Sequence, residues 1–248
     1  MNITYNTTLV ILSAITAITA GFFTIEMASE IILNKGLERW IWLGIGSLTM
    51  GTGIWGMHFI AMTALSMETQ IAYNFIIVLI SLIAAVVGCA QGLFIITRPL
   101  VNNLTLIAAS LSMGAAIAGM HYIGMAAMRL GAKITYDVPI LVLSIALAIA
   151  VSFVAMKISI ALRTRRNNQK YMWTKVLASS LMGGAVLSMH YTGMAAAEFK
   201  LDSNMLIEGA NILDNEGIGL CVGLAVIGVF GMVYIFLITS GLSRSTLK

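Results

Sequence analysis

Met57-His58-Phe59-Ile60-Ala61-Met62 returns as Met120-His121-Tyr122-Ile123-Gly124-Met125, and again as Met189-His190-Tyr191-Thr192-Gly193-Met194. These three copies hold all 3 histidines of the chain. Each follows a Met-Gly pair at the same offset: Met50-Gly51, Met113-Gly114 and Met182-Gly183. The shared pattern is Met-Gly-x5-Met-His-x3-Met, with 63 residues from His58 to His121 and 69 from His121 to His190. Histidines that recur only at equivalent positions mark an internal repeat built around them.

What surrounds the repeat decides the fold. Of 248 residues, 59% are hydrophobic and 10% charged, and the mean hydropathy is +0.96. A water-soluble domain carries roughly a quarter charged residues, so this chain lacks the polar surface to stay in water. Several apolar windows reach the roughly 20 residues that cross a bilayer as a helix. Alternating strand patterns are absent, and lipid demands that every backbone group pair internally, which leaves helices. The fold class expected is all-α: a polytopic membrane protein of seven transmembrane helices in three helix-hairpin repeats plus one extra helix.

The seven apolar segments fall near 8–33, 40–66, 71–97, 104–128, 138–163, 174–198 and 217–241. The first is too long, and too poor in preceding basic residues, for a cleaved signal peptide. Asn34-Lys35-Gly36 closes the first span and Arg98-Pro99 the third. With the N-terminus outside, ten basic residues face the cytoplasm: Lys35, Arg39, Arg98, Arg163, Arg165, Arg166, Lys170, Lys175, Arg244 and Lys248. Only Arg129, Lys133 and Lys200 face outward. That bias predicts N-out, C-in, with Trp40, Trp42 and Trp173 at the inner interface and an acidic outer loop (Asp202, Glu208, Asp214, Glu216). The net charge of +4 is spread over loops and is no nucleic-acid signal. Cys89 and Cys221 fit no metal or redox pattern and read as small buried apolar residues.

Each motif lies in an even-numbered span, its His about eight residues from the outer end, or roughly 12 Å deep at 1.5 Å per residue. Three hairpins related by an axis along the membrane normal bring His58, His121 and His190 to one depth, facing a common centre. At about 100° per residue, Met62 lies about 40° and Gly51 about 20° from His58, while Met57 and Met50 form a separate stripe. The same holds for Met125 and Gly114 against Met120 and Met113, and for Met194 and Gly183 against Met189 and Met182. Gly51, Gly114 and Gly183 therefore read as close-packing positions.

Imidazole is a common metal ligand and thioether a soft one. A site of His58, His121 and His190 with Met62, Met125 and Met194, and with Met57, Met120 and Met189 nearby, favours copper, particularly Cu(I). Calcium and magnesium want oxygen ligands; zinc does not call for methionines, and haem needs only two axial ligands. Any single Met is most simply packing, so the three matched histidines carry the reading. Glu26 and Glu30 are expected to meet Lys35 or Arg39, Lys157 to snorkel, and Glu198 to end a solvated helix. No Ser-His-Asp set, HExxH, P-loop or carboxylate pair is present, so the chain is not expected to be an enzyme and no catalytic residue is assigned. A copper or small-solute transporter, or a haem or zinc membrane protein, stands as the alternative.

Met189-His190-Tyr191-Thr192 is the signature tetrapeptide of the MHYT family of bacterial integral-membrane sensor domains, with Met57-His58-Phe59-Ile60 and Met120-His121-Tyr122-Ile123 as looser copies. The chain resembles that family over nearly its whole length. The resemblance implies a sensor in the bacterial cytoplasmic membrane, with copper held by motif His and Met. It implies oxygen, carbon monoxide or nitric oxide as stimulus, and a cytoplasmic signalling partner of diguanylate cyclase, phosphodiesterase or kinase type. On this reading residues 1–242 form the seven-span domain and 243–248 begin a cytoplasmic linker.

Overall fold

The computed structural model describes residues 3–162, 169–201 and 211–246. Seven long helices dominate: α1 (Thr7–Leu33), α2 (Gly36–Thr63), α3 (Phe75–Ile96), α4 (Asn103–Ala126), α5 (Val138–Leu162), α6 (Gln169–Ala196) and α7 (Asn215–Thr246). Five of them, α1, α3, α4, α5 and α7, are long and apolar enough to cross a membrane. Their outward faces carry exposed Ile11, Ile15, Ile83, Val87, Val142 and Leu224, an apolar surface suited to lipid and not to water. The chain is an all-α, multi-pass membrane protein. Serine and threonine hydroxyls inside the spans bond their own helix, as Thr24 to the Ala20 carbonyl (2.7 Å) and Ser47 to the Leu43 carbonyl (2.6 Å), so they enter the apolar region already satisfied.

Consecutive helices pack side by side from α1 to α6, α6 returns to α1, and α7 lies along α2. The motif helices α2, α4 and α6 meet inside this ring, where α2 touches both of the others. Glycine makes the approach possible. A Cβ at Gly51 would lie 2.7 Å from the Val86 Cα on α3, one at Gly114 2.5 Å from the Ile149 Cα on α5, and one at Gly183 2.8 Å from the Ile18 amide on α1. The three motif glycines are thus the points where each inner helix meets an outer one.

Short strands, absent from the sequence reading, cap one end. They are β1 (Thr4–Tyr5), β2 (Leu65–Ser66), β3 (Ile71–Asn74), β4 (Met128–Leu130), β5 (Ala132–Tyr136), β6 (Ala197–Leu201) and β7 (Ile212–Asp214). The strand entering each hairpin pairs antiparallel with the strand leaving it: β1 with β2, β3 with β4, β5 with β6. The repeat is therefore strand–helix–helix–strand, three times, and β7 adds to β3 as the start of a further unit. At each junction the amide of the residue that enters the helix donates to a carbonyl at the end of the paired motif helix. These are Asn6 to Ala64, Asn74 to Ala127 and Asp137 to Ala196, each at 2.8 Å. The side chains of the same residues cap α1, α3 and α5, satisfying amides left free at a helix start.

Several expected positions shift. The third span begins at Phe75, not near 71, because Ile71–Asn74 is strand. α7 continues through the expected 242/243 boundary to Thr246. Trp42 is buried against Phe236 (centroids 4.7 Å apart), whereas Trp40 and Trp173 are exposed. Cys221 is exposed on α7, and only Cys89 is buried. Glu26 pairs with Lys175, itself buried over the Phe22 ring, and not with Lys35 or Arg39. Arg39 instead donates to the Ile31 carbonyl at 2.9 Å. Glu198 sits on β6, paired with Lys200 at 3.2 Å. Arg163, Arg165, Arg166, Asp202, Glu208, Lys248 and the side chains of Lys170 and Arg244 lie outside the described residues.

Gly114→Ala forces a methyl into the α5 backbone and is expected to destabilise the protein by about 1–3 kcal/mol. Gly184 has nothing within 4 Å of an added Cβ, so Gly184→Ala should be neutral or stabilising by up to about 1 kcal/mol. Thermal melting of the two variants in detergent checks the opposite signs.

Candidate metal centre

The ring of helices delivers one histidine from each motif helix to the same point. Ring centroids lie 4.9 Å apart for His58 and His121, 5.0 Å for His58 and His190, and 5.2 Å for His121 and His190. The Nδ1 of His58 is 3.0 Å from that of His190 and 3.2 Å from that of His121. None of the three rings is more than 1% exposed. The shared centre that the repeat predicts exists.

The rings are aimed by the next repeat. A Cβ at Gly124 would fall 2.4 Å from the His58 Nε2, and one at Gly193 2.4 Å from the His121 Nε2. Each of these rings thus has its outer nitrogen against a bare backbone and its Nδ1 turned to the centre. The corresponding position in the first copy is Ala61, fully buried. The three Nε2 atoms have no hydrogen-bond partner, so the outer nitrogens lack the carboxylate or carbonyl that commonly orients a ligating imidazole.

A single Nδ1–H on His58 can serve the His190 and His121 lone pairs only by being divided between them, which leaves both acceptors weakly satisfied. A cation reconciles all three lone pairs. With metal–nitrogen bonds of about 2.0–2.1 Å, neighbouring ligand nitrogens sit roughly 3.3–3.5 Å apart, within a few tenths of an ångström of the two spacings about His58. The donor set therefore fits a metal ion, and the histidine cluster includes no carboxylate.

The methionines divide into layers. Met57, Met62, Met120, Met125, Met189 and Met194 are all buried in the core at the level of the histidines. Met50, Met113 and Met182 come together eight residues before each His, lining one cavity. Gly51, Gly114 and Gly183, adjacent to them in sequence, face outward to the neighbouring helices.

A second recurring group lies between the histidines and the strands, and the sequence reading did not find it. The aromatic residue after each His meets a tyrosine edge-on: Phe59 with Tyr73 (6.0 Å), Tyr122 with Tyr136 (5.4 Å) and Tyr191 with Tyr5 (5.9 Å). Each tyrosine immediately precedes a helix-capping residue, so the dipeptides Tyr5-Asn6, Tyr73-Asn74 and Tyr136-Asp137 were the available signal. Eight residues beyond each tyrosine stands a fully buried serine, Ser13, Ser81 or Ser144, and the Ser144 hydroxyl bonds that of Tyr122 at 2.6 Å.

The family pattern described as "Bacterial signalling protein N terminal repeat" matches residues 51–109, 114–172 and 183–247. The chain belongs to the MHYT family. Each match opens on a motif glycine, Gly51, and then Gly114, with the third at Gly183. The chain is 40% identical over 202 residues to the signalling protein YkoW of Bacillus subtilis, covering 82% of this chain and 25% of the relative. To the bifunctional diguanylate cyclase/cyclic di-GMP phosphodiesterase MucR of Pseudomonas aeruginosa it is 38% identical over 231 residues, 93% of this chain and 33% of the relative. To the cyclic di-GMP phosphodiesterase NbdA of the same organism it is 34% identical over 222 residues, 90% of this chain and 28% of the relative. The chain thus spans between a quarter and a third of the length of these curated relatives. No solved structure matches it. As an MHYT protein it is a multi-pass protein of the bacterial cytoplasmic membrane, related to signalling proteins.

The family repeat also exposes how the MHYT ring closes. Val86 lies 35 residues after Gly51 and Ile149 35 after Gly114. Val86, Ile149 and Ile18 each lie 12 residues after the residue that caps their helix (Asn74, Asp137 and Asn6), so the equivalent partner of Gly183 on α7, counted from its cap Asp214, would be Val226, yet Gly183 packs on Ile18 of α1. The first helix takes the place that the last would hold by sequence.

Gly193→Ala should push the His121 ring from its place and shift the imidazole resonances of all three histidines in selectively labelled protein. Gly119→Ala, with open space around it, should leave them unchanged.

Proposed function

We propose that the chain is a sensory membrane domain that binds a copper ion at His58, His121 and His190 and relays its occupancy to a cytoplasmic module that makes or degrades cyclic di-GMP. The observation that carries the metal reading is the convergence of three Nδ1 atoms in a fully buried core, in a cluster that among the described residues has no carboxylate. Burying charge in such a core is costly, and steeply more so for a divalent than for a monovalent ion, which favours Cu(I) over zinc. Met62, Met125 and Met194, with Met57, Met120 and Met189, provide the soft surround that suits it. A bound cuprous ion would supply a Lewis-acid centre for oxygen, carbon monoxide or nitric oxide.

The chain's own residues supply the rest. Gly124 and Gly193 hold the His58 and His121 rings in register, and the aromatic pairs above them keep water out. α2, which carries His58, is bound along much of its length by α7. The Asn215 side chain donates to the Thr63 carbonyl at 3.1 Å, a Cβ at Gly56 would fall 2.4 Å from the Val226 Cγ2, and Trp42 lies on Phe236. A shift of the His58 ring therefore reaches the helix nearest the C-terminus through direct packing. The output assignment rests on MucR and NbdA, whose names give cyclic di-GMP chemistry, and the inward placement of the C-terminus rests on the distribution of basic residues.

Purified protein is expected to retain copper that a cuprous chelator removes, and the H58A/H121A/H190A variant to lose it. His121→Ala alone should weaken binding by more than the roughly 10–100-fold that loss of a supporting residue costs. Equal copper content in wild type and triple variant would overturn the assignment, and displacement of copper by equimolar zinc would overturn the cuprous form of it.

A further inference from the structure

Below the histidines the bundle axis is hollow. The cavity is lined by Met50, Met113 and Met182 from the three motif helices, and by Ile54, Ile117 and Val186 one turn nearer the histidines. Ile54, Ile117 and Val186 each lie four residues before a His, about 6 Å along the helix, and the methionines about 12 Å. The chamber is therefore a separate compartment with an aliphatic layer between it and the imidazoles. It exists because the helices behind it present small residues, Ala17, Ala20 and Gly21 on α1 and Ala155 on α5.

The space open to the centre of a water-sized molecule is about 30 Å³, where one water needs about 10–15 Å³. A contiguous recess of about 10 Å³ shares the same three methionines. The chamber's own wall offers water no free hydroxyl among the described residues: Thr24 and Ser152 are committed to the Ala20 and Ala148 carbonyls at 2.7 and 2.8 Å, and the surrounding backbone is helical. Ser159 lines only the smaller recess. A cavity that offers no hydrogen bonds stays dry and takes apolar guests, and thioether sulfur is polarisable enough to hold them by dispersion.

We infer that this chamber is a binding site for a small, uncharged, apolar molecule of diatomic size, distinct from the metal centre. Its guest enters from the lipid, where such molecules concentrate, and lodges between the first and second helical turns beneath the histidines. The role as a holding site for a sensed ligand rests on the sensory reading, whereas the occupancy of the chamber does not. No charged or strongly hydrogen-bonding solute fits, because nothing in the wall replaces its hydration.

Xenon is the probe. Crystals of the chelator-treated protein under xenon pressure should show an anomalous peak bounded by Met50, Met113 and Met182. Ala155→Leu fills the chamber from α5 and should abolish the peak while the melting temperature and copper content stay at wild-type values. An ordered water in the wild-type chamber, no xenon peak, or a peak that survives Ala155→Leu would each overturn the inference. Because the sample is stripped of metal, xenon binding is read separately from copper retention, so either result can fail alone.

Discussion

Three buried imidazoles whose Nδ1 atoms lie 3.0 and 3.2 Å apart about His58 set the constraint to which the rest of this structure answers. Left to themselves, Nδ1 lone pairs at that distance repel, and each unpaired buried Nε2 costs about 1–3 kcal/mol. The rings stay together because the backbones behind them are fixed. Helices can approach this closely only where a side chain is missing, and at Gly124 and Gly193 the imidazole occupies the very volume a Cβ would fill. Depth is fixed by the strand junctions, where Ala64, Ala127 and Ala196, each six residues after a His, accept the amide of a capping residue at 2.8 Å. The histidines are thus registered laterally by glycine and axially by a hydrogen bond, and both devices occur outside the Met-His pair itself.

The closure of the ring follows from the same packing rules and breaks the symmetry of the repeat. If each motif helix packed only on the helix that follows it, α6 would require α7 and the first helix would be surplus. Instead α1 meets Gly183, Tyr5 completes the aromatic pair with Tyr191, and β1 closes on β2. α7, displaced from the ring, seats on the glycine-lined face of α2 at Gly53 and Gly56. A threefold site consequently gains one privileged helix: among the described residues, α2 alone carries both a centre histidine and an extended seam with the helix leading to the C-terminus.

Much of this was legible in the sequence, for reasons that can be stated residue by residue. Long apolar windows and a repeated Met-His offset are local and redundant, so seven helices, the shared depth and the close-packing glycines could be read directly. What failed depended on partners. A helical wheel places Gly51 near His58 and Met50 apart from it, yet cannot say which direction is the bundle axis, and Met50 turned out to line the central chamber. Strands of two to five residues are shorter than any periodic pattern can resolve, although the recurring Tyr-Asn and Tyr-Asp dipeptides marked three of them. Lys175 reads as loop charge because a buried lysine requires a carboxylate, and its partner Glu26 is five helices away in the chain.

The layering along the axis has a physical logic of its own. The strand-capped end carries backbone hydrogen bonds, the tyrosines of the aromatic pairs, and Arg129, Lys133 and Lys200 on β4, β5 and β6. At the level of Met50, Met113 and Met182 the chamber wall is apolar, and its two hydroxyls, Thr24 and Ser152, are bonded to their own helices. The imidazole layer therefore stands between two environments of opposite character, a polar strand-capped end on one side and an apolar chamber on the other. Ile54, Ile117 and Val186 are the partition. Each is a single side chain on the same helix as a histidine and one turn from it, so a rotation of α2, α4 or α6 that moves a ring also moves the partition beneath it.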